Sequence, residues 1–402
     1  MKSNRTLRIL TIAVASMAAI TVACNKTTND YRADHGVKPC EYTKRLDSLF
    51  TPIFPDDGPG AIVTVMRNDS IIYDHAFGLA DLNTKARITD STLFNMASTS
   101  KFFSAVAIMK LCERGEMSLD DPLSKYFPEF EADFFKNIKI RNILTHSSGL
   151  PDLRPRDPKE WHDYLSNHKS IFSDAPDYRL YGMEREHMQI FKDLDSIDYN
   201  PSTTYQRSDP AFILVAPLIE RVTGHDFDDW MRQNIFLPAG LTDTYYYNPG
   251  CFLPRMAHGY KPADRNTAPG IYLSEDGKWQ EYDYGEAEFF LTKADRGAYS
   301  SARDIMRWNK AVYSGKLLPK EIIDSLNTPR LATDIPFVNY GYANAVEEKP
   351  GRNKKIYHLN TNGGFTIFEA TVPERKMSYL IFSNRDDFDD SLLVEEMEKI
   401  LY

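Results

Sequence analysis

The sequence predicts a mixed α/β fold, in which an antiparallel sheet is built from both chain ends and flanked by helices, with a mostly helical region inserted. Three observations predict it. β-rich runs lie near one end at Ala61–Met66 and Ser70–Phe77, and near the other at Lys355–His358, Phe365–Val372 and Met377–Ser383. Between them stand long apolar stretches with helical stops. Hydrophobic residues make up 42% and aromatics 12% of 402 residues, enough for a large core and incompatible with a disordered chain.

The chain starts with an address. Lys2, Arg5 and Arg8 precede an apolar run, Ile9–Ala23, that is short for a membrane span. The run ends in Thr21-Val22-Ala23-Cys24, which resembles a bacterial lipobox, in which Cys24 would be acylated and become the mature N-terminus. A plain signal peptide with an incidental cysteine is the alternative. The A-x-A match at Ala13–Ala15, however, falls inside the apolar run. The expected layout is a signal peptide at 1–23, a lipid-anchored tether at 24–45 and one domain at 46–402. In that domain 46–97 and 293–402 form the sheet part and 98–292 the helical part. The expected location is the cell envelope, held to a membrane by the N-terminal lipid. Losing the three positive charges of Met1–Ala23 takes the net charge from −9 to −12.

Arg67-Asn68-Asp69 separates the first two strand runs as a tight turn, and Pro373–Lys376 separates the last two. Thr99–Arg114 is apolar almost all round and reads as a buried helix stopped by Gly115. Ala211–Val222 reads as a second, stopped by Gly224. Residues 151–200 read as a helical insert. At the end, Leu392, Leu393, Met397 and Ile400 within Ser391–Leu401 fit one helical face. Tyr245-Tyr246-Tyr247 either lines a groove or packs the insert onto the core.

Composition and motifs exclude several classes. The acidic balance offers no basic stripe for nucleic acid. Cys24, Cys40, Cys112 and Cys251 make no C-x-x-C pair and allow at most one bridge once Cys24 is acylated. Neither a G-x-S-x-G elbow nor an H-E-x-x-H helix occurs. His162, His168 and His187 read as scattered surface side chains, and no metal or organic cofactor is required.

Ser98-Thr99-Ser100-Lys101 opens the buried helix, and residues three apart share a helical face. A serine at a helix N-terminus meets free N–H groups that favour developing negative charge. A lysine among Phe102, Phe103 and Val106 is disfavoured as an ammonium, which makes a neutral, basic amine of Lys101. A serine beside a base is the requirement for nucleophilic acyl transfer. Spacing alone does not carry this reading. Ser166–Lys169 repeats it in a polar stretch, and a cap with a surface lysine would look the same.

Context does carry it. Thr92–Lys101 resembles the nucleophile segment of the serine β-lactamase and penicillin-binding family, particularly class C β-lactamases and related D-Ala-D-Ala carboxypeptidases and esterases. Gly115–Pro122, Leu144–Pro151, Ile219–Gly224, Pro238–Thr244 and Tyr299–Asp304 are similar to further family blocks, so the resemblance spans about Gly60 to Asn384. It implies three motifs: Ser-x-x-Lys, Tyr-x-Asn before a helix, and Lys/His-x-Gly on a strand facing the nucleophile. It also implies an oxyanion hole from the backbone N–H groups of Ser98 and Thr361.

The second and third motifs depart from that pattern. Counting back from Glu220 puts Arg207 at the tyrosine position and Asp209 at the asparagine position. Arg207 stays protonated and cannot act as a base. Asp209 can pair with Arg207 or with Lys101, and the latter pair would keep the lysine charged. Tyr205 or Ser208 are the alternatives for the missing role. His358 matches the third motif, with Asn360 where the family has glycine. Residues two apart on a strand share a face, so both are expected at the site. Two functions follow. One is an envelope serine hydrolase acting on small peptide, ester or lactam substrates through an acyl-serine, with Ser98, Lys101 and His358 catalytic. The other is a catalytically degenerate, lipid-anchored binding protein in which Arg207 holds an anionic ligand.

Overall fold

The first hairpin forms where the sequence places it. Strands β1 (Ala61–Arg67) and β2 (Ser70–Phe77) are joined through Asn68 and Asp69, both at positive φ. Asn and Asp tolerate that conformation, and a two-residue turn of this hand matches the strand twist. In this computed structural model residues 41–151, 188–247, 255–263, 272–281 and 292–402 are described. The signal segment, Cys24, Cys40, Cys251, the second Ser-x-x-Lys match, the three insert histidines and most of the 151–200 insert lie outside them.

The carboxyl-terminal part supplies β3 (Leu331–Ala332), β4 (Val338–Tyr340), β5 (Ala345–Glu347), β6 (Lys355–Asn362), β7 (Phe365–Val372) and β8 (Met377–Ser383). With the first hairpin they make one antiparallel sheet of eight strands in the order β3-β4-β5-β6-β7-β8-β1-β2. The two parts of the chain therefore join between β8 and β1, one strand in from the β2 edge, with Ala61 opposite Ser383. The sheet is covered on both faces. Ile62 and Leu380 join the larger core, while Val63, Phe368 and Tyr379 join a second one.

That second core is closed by helices from the two ends, α1 (Glu41–Phe50) and α6 (Asp390–Leu401), which pack on each other. Helix α1 begins at Glu41, inside the span expected as tether, and Thr43 is buried there. Leu46 and Phe50 are fully buried, and Asp47 accepts from the Tyr73 hydroxyl at 2.9 Å, so the fold includes residues from at least 41 onward. In α6 the buried side chains are Leu393, Val394, Met397 and Leu401, whereas Leu392 is 53% exposed. Its apolar stripe is therefore rotated from the one read in the sequence.

The larger core surrounds α2 (Ser100–Glu113), buried nearly all round as its composition requires. Gly115, at positive φ, ends it. The N–H of Glu116 reaches the Leu111 carbonyl and that of Gly115 the Cys112 carbonyl, which satisfies orphan carbonyls of the last turn. Cys112 is a free thiol. The second expected helix is two pieces, α3 (Asp209–Ile213) and α4 (Val215–Thr223), ending at Gly224. Pro217 lacks the N–H that would bond the Ile213 carbonyl, which accounts for the break. Helix α5 (Ala302–Tyr313) is capped by Ser301, whose hydroxyl accepts the Asp304 N–H. Tyr246 packs on Phe227 and Phe236, with ring centroids 4.9 and 5.7 Å apart, so the tyrosine run serves packing here. Among the described residues no helix is long and apolar enough to cross a membrane.

Gly60 holds the junction of the two sheet halves. A methyl there would sit 1.8 Å from the Phe77 carbonyl oxygen, and its N–H donates to Asn384 Oδ1 at 2.7 Å. Gly60→Ala is expected to lower stability by about 2 kcal/mol or more, read as a reduced denaturation midpoint.

Candidate active site

The chain enters α2 through a single 3-10 turn, Ala97–Thr99. Ala97 has φ +46, a strained value for a residue with a Cβ, and is held by Asn95 Oδ1 accepting its N–H at 2.9 Å. This turn presents Ser98, partly exposed, to a cavity of about 690 Å³. One helical turn on, Lys101 is buried, and its ammonium donates to Ser98 Oγ at 2.8 Å and to the Asp295 carbonyl at 3.1 Å.

The loop before α3 brings Arg207 and Asp209 to the same two groups. Arg207 Nη2 donates to Ser98 Oγ at 2.9 Å, and its Nε to Asp209 Oδ1 at 3.2 Å. Asp209 Oδ1 lies 3.0 Å from Lys101 Nζ, with both side chains 2% exposed. Arg296 adds a third cation, 3.5 Å from Asp209 Oδ2 and 2.9 Å from Asp295 Oδ2. Three cations and two carboxylates thus surround one hydroxyl.

Burial pushes the Lys101 pKa down to about 8, helped by Arg207 and Arg296 and opposed by Asp209 and Asp295. At pH 7 the ammonium outnumbers the amine about tenfold, so the neutral lysine read from sequence is the minor form. The Asp209 carboxylate holds the Arg207 guanidinium above its ordinary value, making it a permanent donor. Burial alone would raise the Asp295 carboxyl, but Arg296 and Lys101 outweigh it and lower it.

Tyr205 lines the same cavity as Ser98 and Arg207. Its ring lies against Tyr340 at 5.0 Å and edge-on to His146 at 6.0 Å, forming a wall of the cavity. Ser208 is buried and gives its N–H to His146 Nδ1 at 3.2 Å. Burial drives the His146 pKa down to about 3, so this ring is neutral at ordinary pH and accepts through Nδ1.

His358 and Asn360 both line the cavity with Ser98. Nε2 of His358 donates to the Ala343 carbonyl at 3.0 Å, and its Nδ1 lies 3.1 Å from Glu369 Oε1. Both nitrogens are occupied and the ring rests on Phe102. Asn360 makes one long contact, donating to Thr99 Oγ1 at 3.4 Å.

Thr361 is exposed on the β6 edge. The ladder with β5 ends at Tyr357, so 358–362 has no strand neighbour on that side among the described residues. Gly363 and Gly364 both have positive φ, making the β6–β7 loop a two-residue turn whose closing pair is Asn362 and Phe365. Backbone N–H groups alternate along a strand, so that of Thr361 faces the unpaired edge, beside the Ala97–Thr99 turn against which β6 packs.

The sequence reading missed Asp295, Arg296, His146 and Tyr340. The Leu144–Pro151 block contained His146 but gave it no role, and nothing in local spacing singled out the others. Ile335 and Phe337 form an apolar rim of the cavity, 53% and 55% exposed.

The family profile described as Beta-lactamase matches residues 51–400. Penicillin-binding protein 4* of Bacillus subtilis (strain 168) is 24% identical over 364 residues, covering 89% of this chain and 76% of that one. Esterase EstB of Burkholderia gladioli is 26% identical over 334 residues, covering 79% and 83%. Among solved structures, the octameric penicillin-binding protein homologue from Pyrococcus abyssi superposes with a TM-score of 0.72 at 21% identity, covering 89% of this chain and 77% of that one. A class C β-lactamase gives 0.68 at 19% identity, covering 92% and 98%.

Proposed function

Because this chain belongs to the β-lactamase and penicillin-binding family, whose fold is that of serine hydrolases, we propose that it is a serine acyl hydrolase with Ser98 as nucleophile and Lys101 as proton acceptor. The observation that carries this is the 2.8 Å contact between Ser98 Oγ and Lys101 Nζ at the floor of an open cavity. In the amine form Lys101 takes the hydroxyl proton as Oγ attacks the carbonyl carbon. The N–H groups of Ser98 and Thr361 receive the oxyanion, and water then releases the acyl group. Carboxylic esters, small peptides and lactams are the substrate classes, as the named esterase and penicillin-binding relatives support. The proposed location is the cell envelope, with the protein anchored through acylated Cys24.

The test is covalent labelling. Purified protein is treated with a fluorophosphonate and with a fluorescent penicillin, and intact mass is compared with that of Ser98→Ala. A Ser98-dependent adduct with either probe supports the reading, and its absence with both leaves the binding-protein alternative. That alternative is favoured by one observation, the closed ion pair of Lys101 with Asp209.

The same geometry sets a pH dependence. Only the amine of Lys101 accepts a proton, and its pKa is about 8. kcat/KM is therefore expected to rise tenfold per pH unit below about 8 and level off above it. A profile flat between pH 6 and pH 9 would exclude Lys101 as the base.

A further inference from the structure

Resting on that hydrolase reading, we infer that the substrate carries a long apolar arm ending in a carboxylate, and that this arm runs from Ser98 round the open edge of β6 to Lys349 and Arg352 on the α6 face of the sheet. The cavity at Ser98 does not stop at the nucleophile. Its lining continues through Tyr357, Leu359 and Val394 to Lys349, Arg352 and Lys355. Side chains alternate along a strand, so Tyr357 and Leu359 stand on the opposite face of β6 from His358 and Asn360. Both pairs line the same space. The ladder with β5 ends at Tyr357, and the edge beyond it is the passage from one face to the other.

The middle of this passage is apolar. Leu359 lies opposite Phe368 on the sheet, and Val394 of α6 adds a further wall. Lys355 and Asn360 are five residues apart on β6, roughly 16 Å at about 3.3 Å per residue. Asn360 in turn donates to Thr99, next to Ser98. A volume of about 690 Å³ over that reach is far more than a short acyl group fills, and suits an elongated one.

The far end is charged, and its balance selects an anion. Lys355 is buried and bridges Glu398 at 2.8 Å and Glu347 at 3.1 Å. Those two carboxylates are also the partners of Lys349, at 2.8 Å from Glu347, and of Arg352, at 3.6 Å from Glu398. Glu395 is turned to Lys399 at 3.2 Å, and Asp334 stands on the rim, where its charge reaches Tyr205. Three cations thus share two carboxylates, and the two outer ones, Lys349 and Arg352, are 41% and 47% exposed. In a chain of net charge −9 this is a local surplus of one positive charge, which draws in an anion. One surplus charge matches a carboxylate better than a phosphate monoester, which carries nearly two. The planar guanidinium fork of Arg352 also suits a carboxylate.

The experiment compares two long nitrophenyl esters, the monoester of dodecanedioic acid and the same ester with its free carboxylate methylated. Each is given to wild type, to Arg352→Lys and to the double variant Lys349→Gln/Arg352→Gln, at low and high salt. Wild type is expected to show a kcat/KM about tenfold higher for the free carboxylate, carried mainly by KM. The preference should shrink at high salt, because both cations are half in solvent. It should survive largely in Arg352→Lys and fall close to one in the double variant. Equal rates on the two esters in wild type overturn the inference, and so does a preference that persists in the double variant. Thermal midpoints of the variants separate misfolding from recognition. Calorimetric titration with dodecanedioic acid needs no turnover, and its binding should weaken about tenfold in the double variant. Unchanged binding there also overturns the inference. Absence of any Ser98-dependent fluorophosphonate adduct in wild type would bring down the hydrolase reading itself, a different failure, and the titration would still decide the groove.

Discussion

Lys101→Met is expected to lower kcat/KM for an activated ester by about a thousandfold, within the range measured for a positioned general base, while the folded state holds or gains stability. Methionine preserves an unbranched side chain beside the Phe212 ring, 5.6 Å from the ammonium, but it cannot take the Ser98 proton. The stability expectation follows from linkage. The Lys101 pKa falls from 10.5 to about 8 in the fold. Between those values the unfolded chain binds more protons than the folded one, so stability rises with pH across that window. At and below about pH 8 the buried ammonium is a liability. Removing it separates activity from stability: activity collapses and the denaturation midpoint at pH 7 does not fall. A midpoint several degrees lower would mean that Lys101 serves the fold, through Asp209, more than it serves Ser98.

The second large effect is at Asp209. Its carboxylate touches Lys101, Arg207 and Arg296 and is 2% exposed. Asp209→Ala leaves three cations facing one another, and breaking a buried pair in this way costs about 3–5 kcal/mol. Asp209→Asn keeps the shape and some hydrogen bonding, and is the informative variant for mechanism. The carboxylate raises the Lys101 pKa, so its neutralisation should move the midpoint of the pH–rate profile below 8, by about one unit or more. Activity at pH 6.5 would then exceed that of wild type relative to its plateau. Urea denaturation of Asp209→Ala and the pH profile of Asp209→Asn check the two halves separately. An unshifted midpoint in Asp209→Asn would show that the titrating group is not Lys101.

Much of this was readable in the sequence, and the reasons are local. The first hairpin was legible because Asn68 and Asp69 supply the backbone conformation its turn needs. The buried helix was legible because apolar residues recur almost all round it. Ser98 and Lys101 meet because three residues make one helical turn. Arg207 and Asp209 were correctly placed beside them by counting from the following helix. What was not legible depended on distant partners. His358 shares a strand face with Asn360, and Glu369 and the Ala343 carbonyl hold its ring. Asp295 and Arg296 come from a segment nearly 200 positions away from Lys101, without a motif of their own. The charge state of Lys101 needed all four charged neighbours at once, which no spacing rule conveys.

The way β1 is inserted between β8 and β2 has a consequence for how the molecule is made. Gly60 and Asn384 are bonded across 324 positions. In a nascent chain β1 and β2 are complete at Phe77, yet the edge that β8 must occupy stays empty until Met377–Ser383 has been made. Such long-range closure makes for high contact order and slow folding. It also leaves an apolar strand edge open to other chains meanwhile. Cooperative assembly can begin only when the last strand arrives, so the growing polypeptide stays pliable for most of its synthesis.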